Sequence, residues 1–411
     1  MRLGFFVLLL GAFAAGHYSF FELRSATAKI QGALRPVLSS DVPNTDWAPA
    51  ESEPSPLPAG TAVVRDDGGA IASVFVCYDN TFYTNVSRLF TDLFKKLPVD
   101  VQLQVGCSDE ASMDFFEQEW GSYEKARGRD VVALNAKKPL TVWARDRQVA
   151  LQGPAGKIRV SLAPRPPDDS KIYLYERALP KVRLAKGLVD RVGYMPFFVE
   201  GGNVASNGRH VFIGNNFIEH NQEELPSATA LEEEMESLLG RDVFFVRDYA
   251  GKVPHEHLDM FMTPLDSKTI LLADLKEGNK LLEAQEGRKP LASMSANPVK
   301  QRQLTEIGEI LEMQGYTVRR IPAVFHSNNQ WAVTYNNVLM ERRNGEKVVY
   351  MPTYGFPVMD KAAASVYREL GFRVETIDVS QVFRGGGALR CVVNVTLRKP
   401  LTAAEYQMSR R

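Results

Sequence analysis

Three segments of this chain repeat one plan: an amphipathic helix stops at a glycine and runs directly into a strand. In LEEEMESLLGRDVFFV, Leu231, Met235, Leu238 and Leu239 recur at i, i+4, i+7 and i+8, one face of a helix. Gly240 stands where a left-handed residue ends a helix, and Val243 to Val246 then has the β-branched and aromatic character of a strand. LTEIGEILEMQGYTVRRIP repeats the plan with Gly315 at the stop, and SVYRELGFRVETID repeats it with Gly371. TDLFKKLPVDVQLQV, residues 91–105, is a looser fourth copy broken at Pro98. A helix with one apolar stripe must bury it, and the strand that follows supplies the sheet to bury it on. The repetition therefore predicts an α/β protein assembled from β–α–β modules.

Other strands bracket these units. ASVFVCY (72–78), HVFIGN (210–215), TILLAD (269–274), VVYMP (348–352) and CVVNVTL (391–397) are rich in β-branched and aromatic residues. Asn207-Gly208 and Asn344-Gly345 are hairpin-turn signals. Neither GxGxxG nor GxxxxGK[ST] occurs, so nucleotide binding has no motif support.

The N-terminus has a different character. Arg2 precedes an apolar run from Leu3 to Ala15, and Ala12-Phe13-Ala14 fits a small-x-small cleavage pattern. Residues 1–24 are expected to be a signal peptide or an uncleaved signal anchor, the only membrane contact anticipated. Residues 25–60 read as a tether, with six prolines between 36 and 60. The folded domain is expected over 61–411, in an exported location: periplasmic, envelope-anchored or secreted.

Lysine plus arginine and aspartate plus glutamate both number 49, which removes the basic surplus a nucleic-acid partner would require. The three cysteines, Cys77, Cys107 and Cys391, form no CxxC pair. Cys77 lies inside an apolar strand, Cys107 reads as a loop residue after a glycine, and Cys391 follows Gly385, Gly386 and Gly387, where it could sit at the lip of a cleft or be a small core residue.

Two of the six histidines fall in VPHEHLDMF, residues 253–261. Read as an extended strand, this segment places His255, His257 and Asp259 on one face. Such a trio could bind zinc or move protons, or could be ordinary surface sequence. Four more clusters carry polar residues in apolar surroundings: Trp143-Ala-Arg145-Asp146-Arg147, Glu200-Gly-Gly-Asn203, Tyr335-Asn336-Asn337, and the triple glycine before Cys391.

Taken in order, WxRD, EGGN, HxDMF, [ST]YxN and GGG followed by cysteine resemble the guanidine-modifying (pentein) enzymes, most similarly agmatine deiminases and the bacterial type of peptidyl-arginine deiminase. The resemblance spans residues 143–391. It implies an α/β propeller, five ββαβ modules around a pseudo-fivefold axis. It also implies roles: Cys391 as nucleophile, His257 as general acid/base, and Asp146 and Asp259 as the carboxylates that hold a guanidinium. Glu200 is implied as an acid supporting the histidine, Asn337 as an asparagine of the peptidyl-arginine type, and Trp143 as an aromatic lining the substrate cleft. His255 receives no chemical role, and a rim or structural position is expected for it.

The implied chemistry is hydrolytic deimination of a small guanidino compound or an arginine-containing peptide, through a covalent thiouronium on cysteine, with no metal or organic cofactor. An amidinotransferase using the same residues, and a guanidine-binding envelope protein without turnover, are the alternatives. The chain departs from the agmatine type in two places. Arg147-Gln148 stand after Asp146 where that type has x-Gly-Pro, and Arg390 precedes the cysteine where a histidine is common.

Overall fold

The computed structural model describes residues 57–82, 84–166, 171–222, 227–284, 297–326 and 330–401. The expected signal segment and all but the last residues of the tether lie outside the described residues.

The helix–glycine–strand units form as the sequence predicts. The helix Ala228–Leu239 buries Leu231, Met235 and Leu239, and Ser227 caps its start by accepting a hydrogen bond from the Ala230 N–H at 3.1 Å. Gly240, Gly315 and Gly371 all adopt positive φ at the ends of their helices. The two hairpin signals also hold. Asn207-Gly208 lies in the turn between the antiparallel strands Val204–Ser206 and Val211–Gly214, and Asn344-Gly345 joins Leu339–Arg343 to Glu346–Thr353. Asn344 and Gly345 both have positive φ, the requirement of a tight primed turn.

The described strands make five sheets of three or four strands. Each contains the same three-strand order: an antiparallel pair, then a parallel partner reached through helix. In sequence order of the central strand these are Ile71–Tyr78, Arg159–Arg165, Val211–Gly214, Thr269–Asp274 and Glu346–Thr353. The unit that four sequence copies left out is the helix Lys171–Ala185, which leads to Arg191–Phe198. Its interior Pro180 and its buried Glu176 and Arg183 break the apolar stripe by which the other helices are recognised.

One sheet is closed by the two ends of the domain. The late strand Val393–Arg398 pairs antiparallel with the early strand Ile71–Tyr78, Val393 opposite Val76. This pairing fixes the residues just before Val393, among them Cys391. Cys77 is a core residue of that sheet as expected, but Cys107 ends the strand Gln102–Cys107 and is buried, not in a loop. Among the described residues no helix is long and apolar enough to cross a membrane.

Candidate active site

The segment around the two histidines is not a strand. Residues 254–257 bend, Leu258–Met260 is a single 3-10 turn, and the strand is confined to Met262–Pro264. Alternation along a strand therefore does not explain why His257 and Asp259 converge. The tight turn does, by folding Asp259 back toward the imidazole. His255 is buried, not at a rim. Its Nδ1 accepts a hydrogen bond from the His257 N–H at 3.1 Å, and its ring meets Phe325 with centroids 5.6 Å apart. It holds the backbone from which His257 projects.

Cys391 lies in a four-residue helix, Leu389–Val392, not at the start of the strand, which begins at Val393. Asn337, from the loop after the strand Ala332–Thr334, clasps this turn. Its Oδ1 accepts from the Arg390 N–H at 2.7 Å, and its Nδ2 donates to Cys391 Sγ at 3.3 Å. The last of the three glycines before the cysteine is explained by Trp143, while Gly386 has the positive φ that favours glycine. A Cβ on Gly387 would lie 2.5 Å from the indole and 3.0 Å from the Cys391 Cβ, so only glycine lets the ring and the cysteine turn approach this closely.

His257 stands between two carboxylates. Its Nε2 lies 2.7 Å from Glu200 Oε2, and its Nδ1 lies 3.8 Å from Asp146 Oδ1. Gly202 of EGGN forms the floor beneath it, since a Cβ there would fall 2.7 Å from His257 Nδ1. Arg147 fixes Glu200 from the far side, pairing with Glu200 Oε1 through Nη1 and donating from Nε to Glu176 Oε2 at 3.1 Å. Tyr173 stacks on this guanidinium at 4.2 Å. Arg145 lies across the segment: its Nε donates to the Gly201 carbonyl at 3.0 Å and its Nη2 to the Val204 carbonyl at 2.9 Å. The RDR segment is therefore a buried scaffold.

One Asp259 oxygen, one His257 ring nitrogen and Cys391 Sγ lie within 4.8 Å of one another, and so do donor atoms of Asp146, Glu200 and His257. All seven residues picked from sequence meet in this region. His257, Asp259, Asp146 and Cys391 are 3%, 2%, 1% and 1% exposed, so the centre excludes bulk water and charges act there with little screening. The expectation of a cysteine at the lip of a cleft is corrected accordingly. A cavity of about 370 Å³ instead opens on the Glu200 side of His257, lined also by Arg165, Asn203, His220 and Glu256.

Burial alone would discharge His257, but Asp146 and Glu200, with hydrogen bonds to Cys391 and Glu200, outweigh it and raise its pKa well above the ordinary value. The Cys391 thiol is raised by burial and by Asp259, against the lowering influence of His257. The two groups face each other and titrate as a pair. The His257–Asp259–Cys391 and Asp146–Glu200–His257 groups are the sets among the described residues with donors close enough to share a metal ion. Either would need a deprotonated His257.

The sequence reading left out two participants, Glu176 and Asp66. Glu176 reaches Arg147 from 29 residues away, and Asp66 reaches Arg390 from 324 residues away. Arg390 itself, noticed only as a departure, donates from Nη1 to Asp259 Oδ2 at 2.8 Å. The one available signal was the Arg65-Asp66-Asp67 triplet, unusually charged for the entry to a strand.

The fold has counterparts in solved structures. Agmatine deiminase of Enterococcus faecalis superposes with a TM-score of 0.62 at 13% identity, covering 83% of this chain and 96% of that one. Campylobacter jejuni agmatine deiminase gives 0.57 at 13% identity, covering 83% and 96%. At such identities the likeness establishes a shared α/β fold. A Legionella pneumophila protein named "Putative agmatine deiminase" is 28% identical over 79 residues, 19% of this chain and only 22% of that relative's length. The model of the Porphyromonas-type peptidyl-arginine deiminase family matches residues 168–396, which include Glu200, His257, Asp259, Asn337 and Cys391. That match takes in more than half of the chain, and the protein belongs to the Porphyromonas-type peptidyl-arginine deiminase family.

Proposed function

We propose that this protein hydrolyses a guanidino group to a ureido group and ammonia through Cys391, with peptidyl-arginine as the leading substrate and arginine and agmatine as the other members of the class. The carrying observation is the placement of His257, with Glu200 2.7 Å from one ring nitrogen and Asp146 3.8 Å from the other, beside a buried cysteine and Asp259.

A guanidinium is planar, cationic and resonance-stabilised, and so a poor electrophile. Asp146 and Asp259 are the acceptors that would orient its N–H groups and fix the central carbon for attack. The Cys391 thiol, raised in the free protein, gives its proton to solvent as the cationic substrate settles beside it, and the thiolate adds to the guanidinium carbon, giving a tetrahedral adduct. The C–N bond to one terminal amino group breaks while protonated His257 gives that nitrogen its proton, and ammonia leaves. A thiouronium remains on Cys391. Neutral His257 then takes a proton from water as the water oxygen adds to the same carbon. The C–S bond then breaks as the carbonyl forms and the adduct's hydroxyl proton passes to solvent, the thiolate is restored beside protonated His257, and the ureido product departs. Glu200 keeps the imidazole oriented through both proton transfers, and Asn337 steadies the cysteine turn.

The family supports peptidyl-arginine over agmatine, and so does the N-terminal sequence. A leader over residues 1–24 and a tether over 25–60 would present the domain outside the cytoplasm, where polypeptide arginine is accessible. We also propose that the five sheets, each with the same strand order, are the modules of an α/β propeller around a pseudo-fivefold axis.

The test is ammonia and ureido release by the full chain from arginine-containing peptides, free arginine and agmatine, with Cys391→Ala alongside and a run with an added amine acceptor. Peptide turnover that disappears in Cys391→Ala is expected. Unchanged turnover in that variant would overturn the mechanism, and an amidino group transferred to the amine would replace hydrolysis by transfer.

A further inference from the structure

The carboxylate assigned to grip the substrate already holds a guanidinium. Arg390 Nη1 donates to Asp259 Oδ2 at 2.8 Å, and Arg390 Nη2 donates to Asp66 Oδ1 at 2.8 Å and to the Val204 carbonyl at 3.2 Å. Asp66 is itself built in: its Oδ2 accepts from the Ser206 N–H at 2.8 Å, and its own N–H donates to the Ser206 carbonyl at 2.7 Å. Arg390 is 5% exposed, so this is an interior device, not a surface pair. The other oxygen of Asp259, Oδ1, is buried and has no hydrogen-bond partner among the described residues. An unpaired buried carboxylate oxygen is costly and calls for an explanation.

We propose that Arg390 is a positioning residue: anchored by Asp66, it occupies Oδ2 of Asp259 and aims Oδ1 at the substrate guanidinium as a single-point acceptor. A carboxylate free on both sides would take a guanidinium in a two-bond fork. With Arg390 already on Oδ2, the unpartnered Oδ1 is the open acceptor, and Asp259 contributes one directed contact. The arrangement orients Asp259 without contacting the reacting atoms. The assignment rests on the deiminase reading, since it requires that Asp259 receive a guanidinium.

Arg390 has a second consequence, for charge. Asp259 is faced by Arg390 and Arg145 from other segments, by His257 two residues before it, and by Asp146, Cys391 and Tyr354. Burial, with Asp146, pushes its carboxyl up, and Arg390 and His257 push it down. Without Arg390 the carboxylate would sit beside Asp146 with one fewer cation and would hold its proton to higher pH.

The experiment compares pH profiles of kcat/KM, and KM against kcat, for the full chain and its Arg390→Gln, Arg390→Lys and Asp66→Asn variants, on the peptide substrate. In Arg390→Gln, KM is expected to rise about 10–100-fold with a smaller loss in kcat. The acid limb of the profile is expected to move up by about one pH unit or more. Arg390→Lys restores the cation and should return the limb toward its original position. Asp66→Asn keeps Arg390 and its charge but loosens its aim, and should raise KM by less than Arg390→Gln does, which preserves the test if Arg390→Gln does not fold. A KM unmoved in both variants, or an acid limb unmoved in Arg390→Gln, would overturn the proposal while leaving the deiminase reading intact. Absence of turnover in the unsubstituted protein would overturn both.

Discussion

Glu200 stands behind His257, its Oε2 2.7 Å from the imidazole Nε2, while Arg147 holds its other oxygen. With Asp146, the larger influence, this carboxylate keeps the ring charged in a place where burial would otherwise neutralise it. In Glu200→Gln the imidazolium loses one of its two carboxylate partners, so its pKa falls. The proton donor is the protonated ring, and activity is lost as pH rises through that pKa. The alkaline limb of the kcat profile should therefore move to lower pH in Glu200→Gln. A limb that stays in place would separate Glu200 from the titrating group.

Cys391 is held as a thiol by burial and by Asp259, above the ordinary thiol range. Alkylation of the free protein by neutral iodoacetamide should be slow at pH 7 and should accelerate as pH rises. A haloacetamidine, planar and cationic, is matched to Asp146 and Asp259 and should label Cys391 about 10-fold faster or more at the same pH. Mass spectrometry of the labelled peptide separates Cys391 from Cys77 and Cys107, both buried in the same sheet. Equal rates for the two reagents would argue against a cation-selective centre.

Gly202 can carry no side chain without displacing His257, because an added Cβ falls 2.7 Å from Nδ1. Gly202→Ala is expected to lower kcat about 100-fold, the scale of an ångström-sized misplacement. Its circular dichroism spectrum should match that of the unsubstituted protein. A variant with normal kcat would show that the imidazole can shift freely, contrary to its close packing.

Arg147 bridges Glu176 and Glu200 with its guanidinium stacked on Tyr173, all in buried or nearly buried surroundings. Arg147→Met removes the cation, leaving Glu176 without its ion-pair partner and Glu200 with His257 alone, which should destabilise the fold by about 3–5 kcal/mol. The shift in the urea midpoint measures this. A loss below about 1 kcal/mol would place the pair among those of surface strength.

The legible parts of this protein were local. Leu231, Met235 and Gly240 write a helix and its stop into neighbouring positions, and Asn344-Gly345 writes a two-residue turn. The site residues were picked through motif order, and the structure gathers all seven into one region. Their geometry was not legible. Two-residue spacing suggested a strand for His255, His257 and Asp259, but Pro254 and the 3-10 turn at Leu258 impose a bend. The longest contacts were hidden for a different reason. Asp66 and Arg390 are joined only because the last strand returns to pair beside the first long one, a closure that no local pattern encodes. The helix Lys171–Ala185 escaped notice because its buried Glu176 and Arg183 serve the site and the core with polar groups in place of apolar ones.

The most direct test of the account is acid-quenched turnover of the full chain with an arginine-containing peptide, followed by intact-protein and peptide mass spectrometry. The account predicts a transient adduct on Cys391 whose mass is that of the peptide substrate less one ammonia, absent in Cys391→Ala and appearing in step with the first equivalent of ammonia released. Ammonia release at full rate with no adduct on Cys391, or an adduct on another residue, would contradict it.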